Sequence, residues 1–147
     1  MKLSTRTRYG TRALMELALH KYGEPVALKD IAAQQQISLP YLEHLIAPLI
    51  AGGIIRSTKG PKGGIALAKK PADIKLVNVV RILEGPLAPV ECVENAEVCK
   101  RSGTCAARDI WGQLEGVMSD FLEKTSLQDL ADRQRSKSSK ETSMYYI

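Results

Sequence analysis

Residues 91–105, ECVENAEVCKRSGTC, hold all three cysteines of this chain, Cys92, Cys99 and Cys105. Thiolate sulfur binds soft metals, either as iron–sulfur clusters or as zinc. Three thiols leave a remainder if they pair as disulfides, and they stand one ligand short of a four-thiolate site. Their spacing, CX6CX5C, is longer than the roughly two to four residues between paired structural zinc ligands. It suits a loop wrapped around a larger object. The residues between and beside them, Glu91, Glu94, Asn95, Glu97, Lys100 and Arg101, are polar, whereas ordinary free cysteines are mostly buried. An iron–sulfur cluster is therefore the favoured reading. Zinc, and redox-active or regulatory thiols, are the alternatives.

A second set of residues could meet a polyanion. The net charge is +5, and Lys2, Arg6, Arg8 and Arg12 all precede the first acid, Glu16. Lys59 and Lys62 lie in a glycine-rich turn, STKGPKGG. Between these basic elements stands a segment with Ser38, Leu39, Tyr41, Glu43 and His44 in its first turns. Glu43 can accept a hydrogen bond from a cytosine amino group, and Tyr41 and His44 can reach bases or phosphates. Lys59 suits a neighbouring minor groove, and Lys62, Lys2, Arg6, Arg8 and Arg12 suit phosphates. Each is also an ordinary solvated residue taken singly, and Tyr41 a packing one. Two basic elements flanking one helix favour duplex DNA.

The elements that must position these groups read as mainly α with a small β-wing. Residues 5–20 place Tyr9, Ala13, Leu14, Leu17 and Ala18 at helical spacing. Residues 28–35 form a short second helix. Ser38 is a plausible N-cap for a third, with Pro40 in its first turn. Pro48 should kink that helix or end it early, because it lacks an N–H and crowds the preceding turn. Ile54 and Ile55, then Ile65 and Leu67, form two short strands around STKGPKGG. Residues 1–70 therefore make a winged helix-turn-helix head.

Residues 71–135 carry a linking helix (75–84), the cysteine loop and a long helix over 106–123. Ile110, Leu114, Val117, Met118, Phe121 and Leu122 line one stripe of that helix, too apolar to face water; it is expected to meet its copy as a dimerisation helix, the alternative being to pack within the chain on the first or fourth helix. A short last helix, SLQDLADRQ, is followed by residues 136–147, polar, without pattern and expected to be disordered. At 147 residues this is one domain, or one with an appended dimerisation element. No stretch reaches the roughly 20 apolar residues that span a bilayer, and no signal peptide is evident, so a reducing cytoplasm is expected. No serine–histidine or paired-carboxylate arrangement points to an enzyme. STKGPKGG lacks the lysine–serine ending of a phosphate-binding loop.

The motifs MKLSTRTRYGTRALMELAL, ISLPYLEHLIAPLIAGGI, STKGPKGGIALAK and CX6CX5C together resemble the IscR/NsrR-like family of bacterial winged helix-turn-helix transcription regulators, in its cluster-binding branch. The resemblance covers about residues 1–130. It implies a homodimer crossing at residues 106–123 and DNA contacts from Tyr41, Glu43, His44 and Lys59. It implies cluster ligation by Cys92, Cys99 and Cys105 with one further ligand, and control by iron–sulfur status, redox or nitric oxide. The chain departs from the family pattern at the fourth ligand. Arg108 stands where the [2Fe–2S] type has a histidine, and Arg8 where the nitric-oxide-sensing type has an aspartate. Arg8 and Arg12 stand where another branch has a glutamate and a histidine. Arginine stays protonated and is a poor metal ligand. Glu91, Glu94, Glu97 and Asp109 are near in sequence, and a small molecule could complete the site. The missing histidine favours [4Fe–4S] over [2Fe–2S]. A zinc-binding, thiol-redox or small-ligand-sensing regulator without a cluster, and a protein-binding winged-helix adaptor, are the competing readings.

Overall fold

The computed structural model describes residues 2–145. Helix α1 (Thr5–Leu19) starts at Ser4, whose hydroxyl accepts from the Thr7 N–H at 3.2 Å. Its first turn contains no acid, yet Arg6 and Arg8 sit at the positive end of the helix dipole, an unfavourable placement. The missing anion comes from α4 (Leu76–Glu84). The Glu84 carboxylate accepts from the Ser4 N–H at 3.0 Å, from the Ser4 hydroxyl at 2.7 Å and from the Thr7 hydroxyl. Gly10 lets the two helices approach, since a Cβ there would strike the Leu83 side chain. Gly85 ends α4 at φ +95°, a conformation that favours glycine.

Helix α2 (Leu28–Gln35) closes on Gln36 in the left-handed region, φ 54°. Helix α3 (Leu39–Ala51) is capped by Ser38, whose hydroxyl accepts from the Tyr41 N–H at 3.3 Å. It does not end early at Pro48. The helix continues to Ala51, and the Pro48 carbonyl accepts from the Gly52 N–H at 2.9 Å. Strands β1 (Ile55–Thr58) and β2 (Gly64–Leu67) pair antiparallel, from Ile55↔Leu67 to Thr58↔Gly64. Val26 adds one rung against Ile65, which ties the wing to the segment before α2.

After α4 come a one-turn helix α5 (Glu91–Glu94), two 3-10 turns (Ala96–Val98 and Ser102–Thr104), α6 (Ala106–Lys124) and α7 (Leu127–Met144). The chain returns to the head after α6. The Leu76 N–H donates to Thr125 O and the Leu127 N–H to Ile74 O, each at 2.9 Å. Leu127 and Ala131 then join Leu14, Ile31, Leu42, Leu49, Ile65 and Val79 in one buried core. Residues 71–135 thus share their core with residues 1–70.

Two expectations are corrected. Residues 136–144 are helical and continue α7, whereas the sequence pattern suggested a disordered tail there. Tyr146 and Ile147 lie outside the described residues. The cause is local: Ser126 and Asp129 form a reciprocal capping box. No glycine or proline follows Gly116 to break the helix. The α6 stripe also divides. Leu114, Met118 and Leu122 are half-buried, while Ile110, Val117 and Phe121 are 57%, 67% and 61% exposed.

The Glu84 clamp gives a pH-dependent prediction. Hydrogen bonds from Thr7 and then Ser4, with the Arg6 charge a smaller influence, hold its carboxyl below the ordinary value of 4.5. Its stabilisation is therefore complete above that value and is lost as pH falls through the lower, folded-state value. Glu84→Gln should cost about 1 kcal/mol at neutral pH, by analogy with a lost helix cap, and less if solvent screens this exposed group. Thermal melts of both proteins should converge as pH falls below that of an ordinary carboxylate. A constant gap down to strongly acidic pH would remove the carboxylate from the explanation.

Candidate functional site

The expected base-reading residues lie together on the first turns of α3. Ser38, Glu43 and His44 are exposed. The Ser38 hydroxyl is engaged as the helix cap, which limits it to holding the turn or sharing a lone pair. Tyr41 is half-buried and its ring meets the Tyr9 ring edge-on, centroids 6.2 Å apart. Tyr41 thus packs one face on α1. Periodicity set Tyr9 at helical spacing with Ala13, Leu14, Leu17 and Ala18 of α1. In the fold it is half-buried at the α1–α3 junction.

The basic groups fall into three settings. Lys59 and Lys62 are exposed at the tip between β1 and β2, and Lys2 is exposed ahead of α1. Arg8 and Arg12 are exposed, with guanidinium carbons 6.0 and 5.3 Å from the Tyr9 ring centroid. Arg6 is half-buried, and its Nε is buried with no hydrogen-bond partner. Among the described residues the only salt bridges are Lys21–Glu24 and Arg135–Asp132. The cations around α3 are therefore unneutralised.

The cysteine segment is held by its own polar groups. Cys92 and Cys105 are half-buried, Cys99 is exposed, and all three are free thiols. Buried Ser102 donates to the carbonyl of either Ala96 (2.7 Å) or Cys99 (2.8 Å). Arg108, on the first turn of α6, donates from Nε to the Cys92 carbonyl at 2.6 Å. In donor type the three thiols match an iron–sulfur cluster or zinc. In position they are not gathered: among the described residues no three His, Cys, Asp or Glu side chains stand together as a metal-ion site. Asp109 lines an open pocket with Val93, Arg108, Gly112 and Gln113.

Glu84, Ser102 and the backbone role of Arg108 were not recognisable from motifs. Glu84 lies 80 residues from Ser4, too far for any local pattern. A serine three residues after Cys99 was the one available sign of a turn stabilised by its own side chain.

Residues 3–133 match the model of the Rrf2 family, described as iron-dependent transcriptional regulators. The chain is 48% identical over 130 residues to protein rrf2 of Nitratidesulfovibrio vulgaris Hildenborough, covering 88% of this chain and 87% of that one. It is 38% identical over 148 aligned positions to the transcriptional regulator CymR of Bacillus subtilis, covering both chains completely. The solved structure of that CymR, described as the global cysteine regulator of its organism, superposes with a TM-score of 0.75 over 90% of this chain and 98% of that one, at 37% identity. The structure of IscR from T. potens superposes with a TM-score of 0.73 over 91% and 88%, at 35% identity. These relatives are transcriptional regulators rather than enzymes, and the solved ones share the winged-helix architecture read from the sequence.

The two pins of the cysteine segment make a direct prediction. A part-buried hydrogen bond from a charged donor contributes roughly 1.5–3 kcal/mol. Arg108→Ala should speed amide exchange in residues 91–105 by about tenfold or more, while leaving exchange in α1 to α3 unchanged. Unchanged exchange in the segment would show that Ser102 alone holds it.

Proposed function

The chain belongs to the Rrf2 family of transcriptional regulators, and we propose that it binds duplex DNA as a homodimer, with operator affinity set by an iron–sulfur cluster on Cys92, Cys99 and Cys105. One observation carries the regulatory half. All three free thiols lie on a single segment that Arg108 ties to α6, the helix whose Ile110, Val117 and Phe121 are left facing solvent. A change in that segment therefore has a direct mechanical route to the helix expected to meet its copy. Two readers related by a two-fold axis call for an operator with imperfect two-fold symmetry. Base contacts come from Tyr41, Glu43 and His44, Lys59 of the wing enters the neighbouring minor groove, and phosphate contacts come from Lys62, Arg8 and Lys2. Ser38 holds the reading turn. Such a regulator acts in the cytoplasm, where bacterial DNA is.

Bound at the segment, a cluster would supply a group whose oxidation, nitrosylation or loss can be sensed. The chain supplies three thiolates, and Arg108 cannot be the fourth ligand. The fourth position is thus left to Glu91, Glu94, Glu97 or Asp109, to the partner subunit, or to a small molecule. The absent histidine favours [4Fe–4S] over [2Fe–2S]. A second reading, thiol-redox or small-ligand sensing without a cluster, is favoured by two specific observations. The thiols do not converge, and the chain aligns end to end with a cysteine regulator.

Two experiments separate these readings. Anaerobic purification with iron and sulfide counts and Mössbauer spectra should find a cluster in the wild type. Cys92→Ala, Cys99→Ala and Cys105→Ala should each lose most iron and bind operator DNA like the metal-free protein. A wild type without iron or sulfide after anaerobic reconstitution, but with operator affinity that responds to thiol oxidation, establishes the second reading instead. Light scattering should give twice the chain mass of 16.1 kDa, and Val117→Glu with Phe121→Glu should return it to the monomer and abolish tight operator binding. A monomeric wild type at micromolar concentration would refute assembly through α6.

A further inference from the structure

One aromatic ring stands between the basic residues of α1 and the first turn of α3. Tyr9 meets Tyr41 edge-on, at 6.2 Å between centroids and 85° between planes. The same Tyr9 ring has the Arg12 guanidinium carbon at 5.3 Å and that of Arg8 at 6.0 Å from its centroid. Arg8 and Arg12 are one helical turn apart and therefore share a face of α1. Both are exposed, and neither forms a salt bridge among the described residues. Two like charges at this spacing repel, so something must hold them side by side. The negative face of an aromatic ring attracts both. A guanidinium held by a ring still presents its in-plane N–H donors, the geometry that grips phosphate oxygens in pairs.

The geometry points to Tyr9 as a positioning residue: it holds Arg12 and Arg8 as a two-point clamp for the phosphates of duplex DNA and, through Tyr41, sets the distance from that clamp to the base-reading turn of α3. This rests on the DNA-binding reading above. Phosphate contacts fix the register in which side chains meet base edges. A clamp joined to the reader by one ring-to-ring contact would transmit that register directly. Tyr41 is well suited as the joint, because its backbone N–H is bonded to the Ser38 hydroxyl and its turn is fixed by the cap. Arg6 takes no part, since its side chain is half-buried beside the Glu84 clamp. Arg12 and Tyr9 thereby gain roles that charge alone did not distinguish.

The test uses the full chain and a duplex that the wild-type protein itself selects from a random-sequence pool. Affinity is measured across a salt series. Arg12→Gln should lower affinity about tenfold or more near physiological salt and flatten the log–log salt slope by about 1.8, the value for two lost phosphate contacts, one from each protomer of the dimer. Tyr9→Leu should flatten the slope although both arginines remain, and adding Arg12→Gln to it should flatten it little further. Tyr9→Phe, which keeps the ring, should restore the wild-type slope. A purely structural Tyr9 would weaken binding without moving the slope. A wild-type slope for Tyr9→Leu, or for the surface variant Arg12→Gln, overturns the clamp while leaving DNA binding intact. A wild type that selects no duplex above bulk competitor sinks the DNA-binding reading itself, and the clamp with it.

Discussion

The contact between the Glu84 carboxylate and the first turn of α1 holds the functional parts of this protein in register. Helix α1 opens with arginines and no acid, so its positive end is crowded with positive charge. Glu84 supplies the anion from 80 residues away and satisfies Ser4 and Thr7 together. Gly10 permits the close approach that brings α4 to this point. The next residue, Gly85, turns the chain toward the cysteine segment. One carboxylate thus joins the basic first turn of α1 to the end of α4, where the chain turns into the cysteine segment. One turn earlier on α4, Arg81 donates to Ser119 of α6 at 3.1 Å, so the same helix end also meets the long helix.

The basic surface follows from this arrangement. With Glu84 committed to the cap, no acid on α1 precedes Glu16 to neutralise Arg8 and Arg12. They remain unpaired at the edge of α3, and Lys59 and Lys62 are exposed at the wing. Unpaired cations on two elements that flank the solvent-facing first turns of α3 make a field suited to a polyanion. Glu43 is exposed on the same helix, and under the proposed DNA reading an acid there would oppose that attraction except where a base offers it a donor.

The cysteine segment is built differently from the head. It has almost no buried side chain, Ser102 excepted, and its order comes from hydrogen bonds to backbone carbonyls. Such a segment lies at the low-stability end of a fold, where ligand binding or oxidation can shift the conformation at modest energetic cost. Arg108 has a double significance there. It occupies the position of a ligand in the family pattern that the chain resembles, and in this fold it is the strut between Cys92 and α6.

The sequence by itself determined the order of the main helices and strands, the cap at Ser38, the core spacing of α1 and α3, the wing, and the grouping of three thiols on one polar segment. These are short-range properties. Helical and strand periods, capping side chains and turn residues act within a few positions, so their signals survive without any knowledge of the fold. Only the tertiary structure decided which residues meet across the chain: Glu84 with Ser4 and Thr7, Tyr9 with Tyr41, and Leu127 with the head core. It also decided that Arg6 is half-buried while Arg8 and Arg12 are free, and that the α6 stripe divides into an inner and an outer face. The physical reason is that a charged or aromatic side chain has no period that names its partner. Its role is set by which helix packs against it, and that depends on how all the helices bury their apolar faces together.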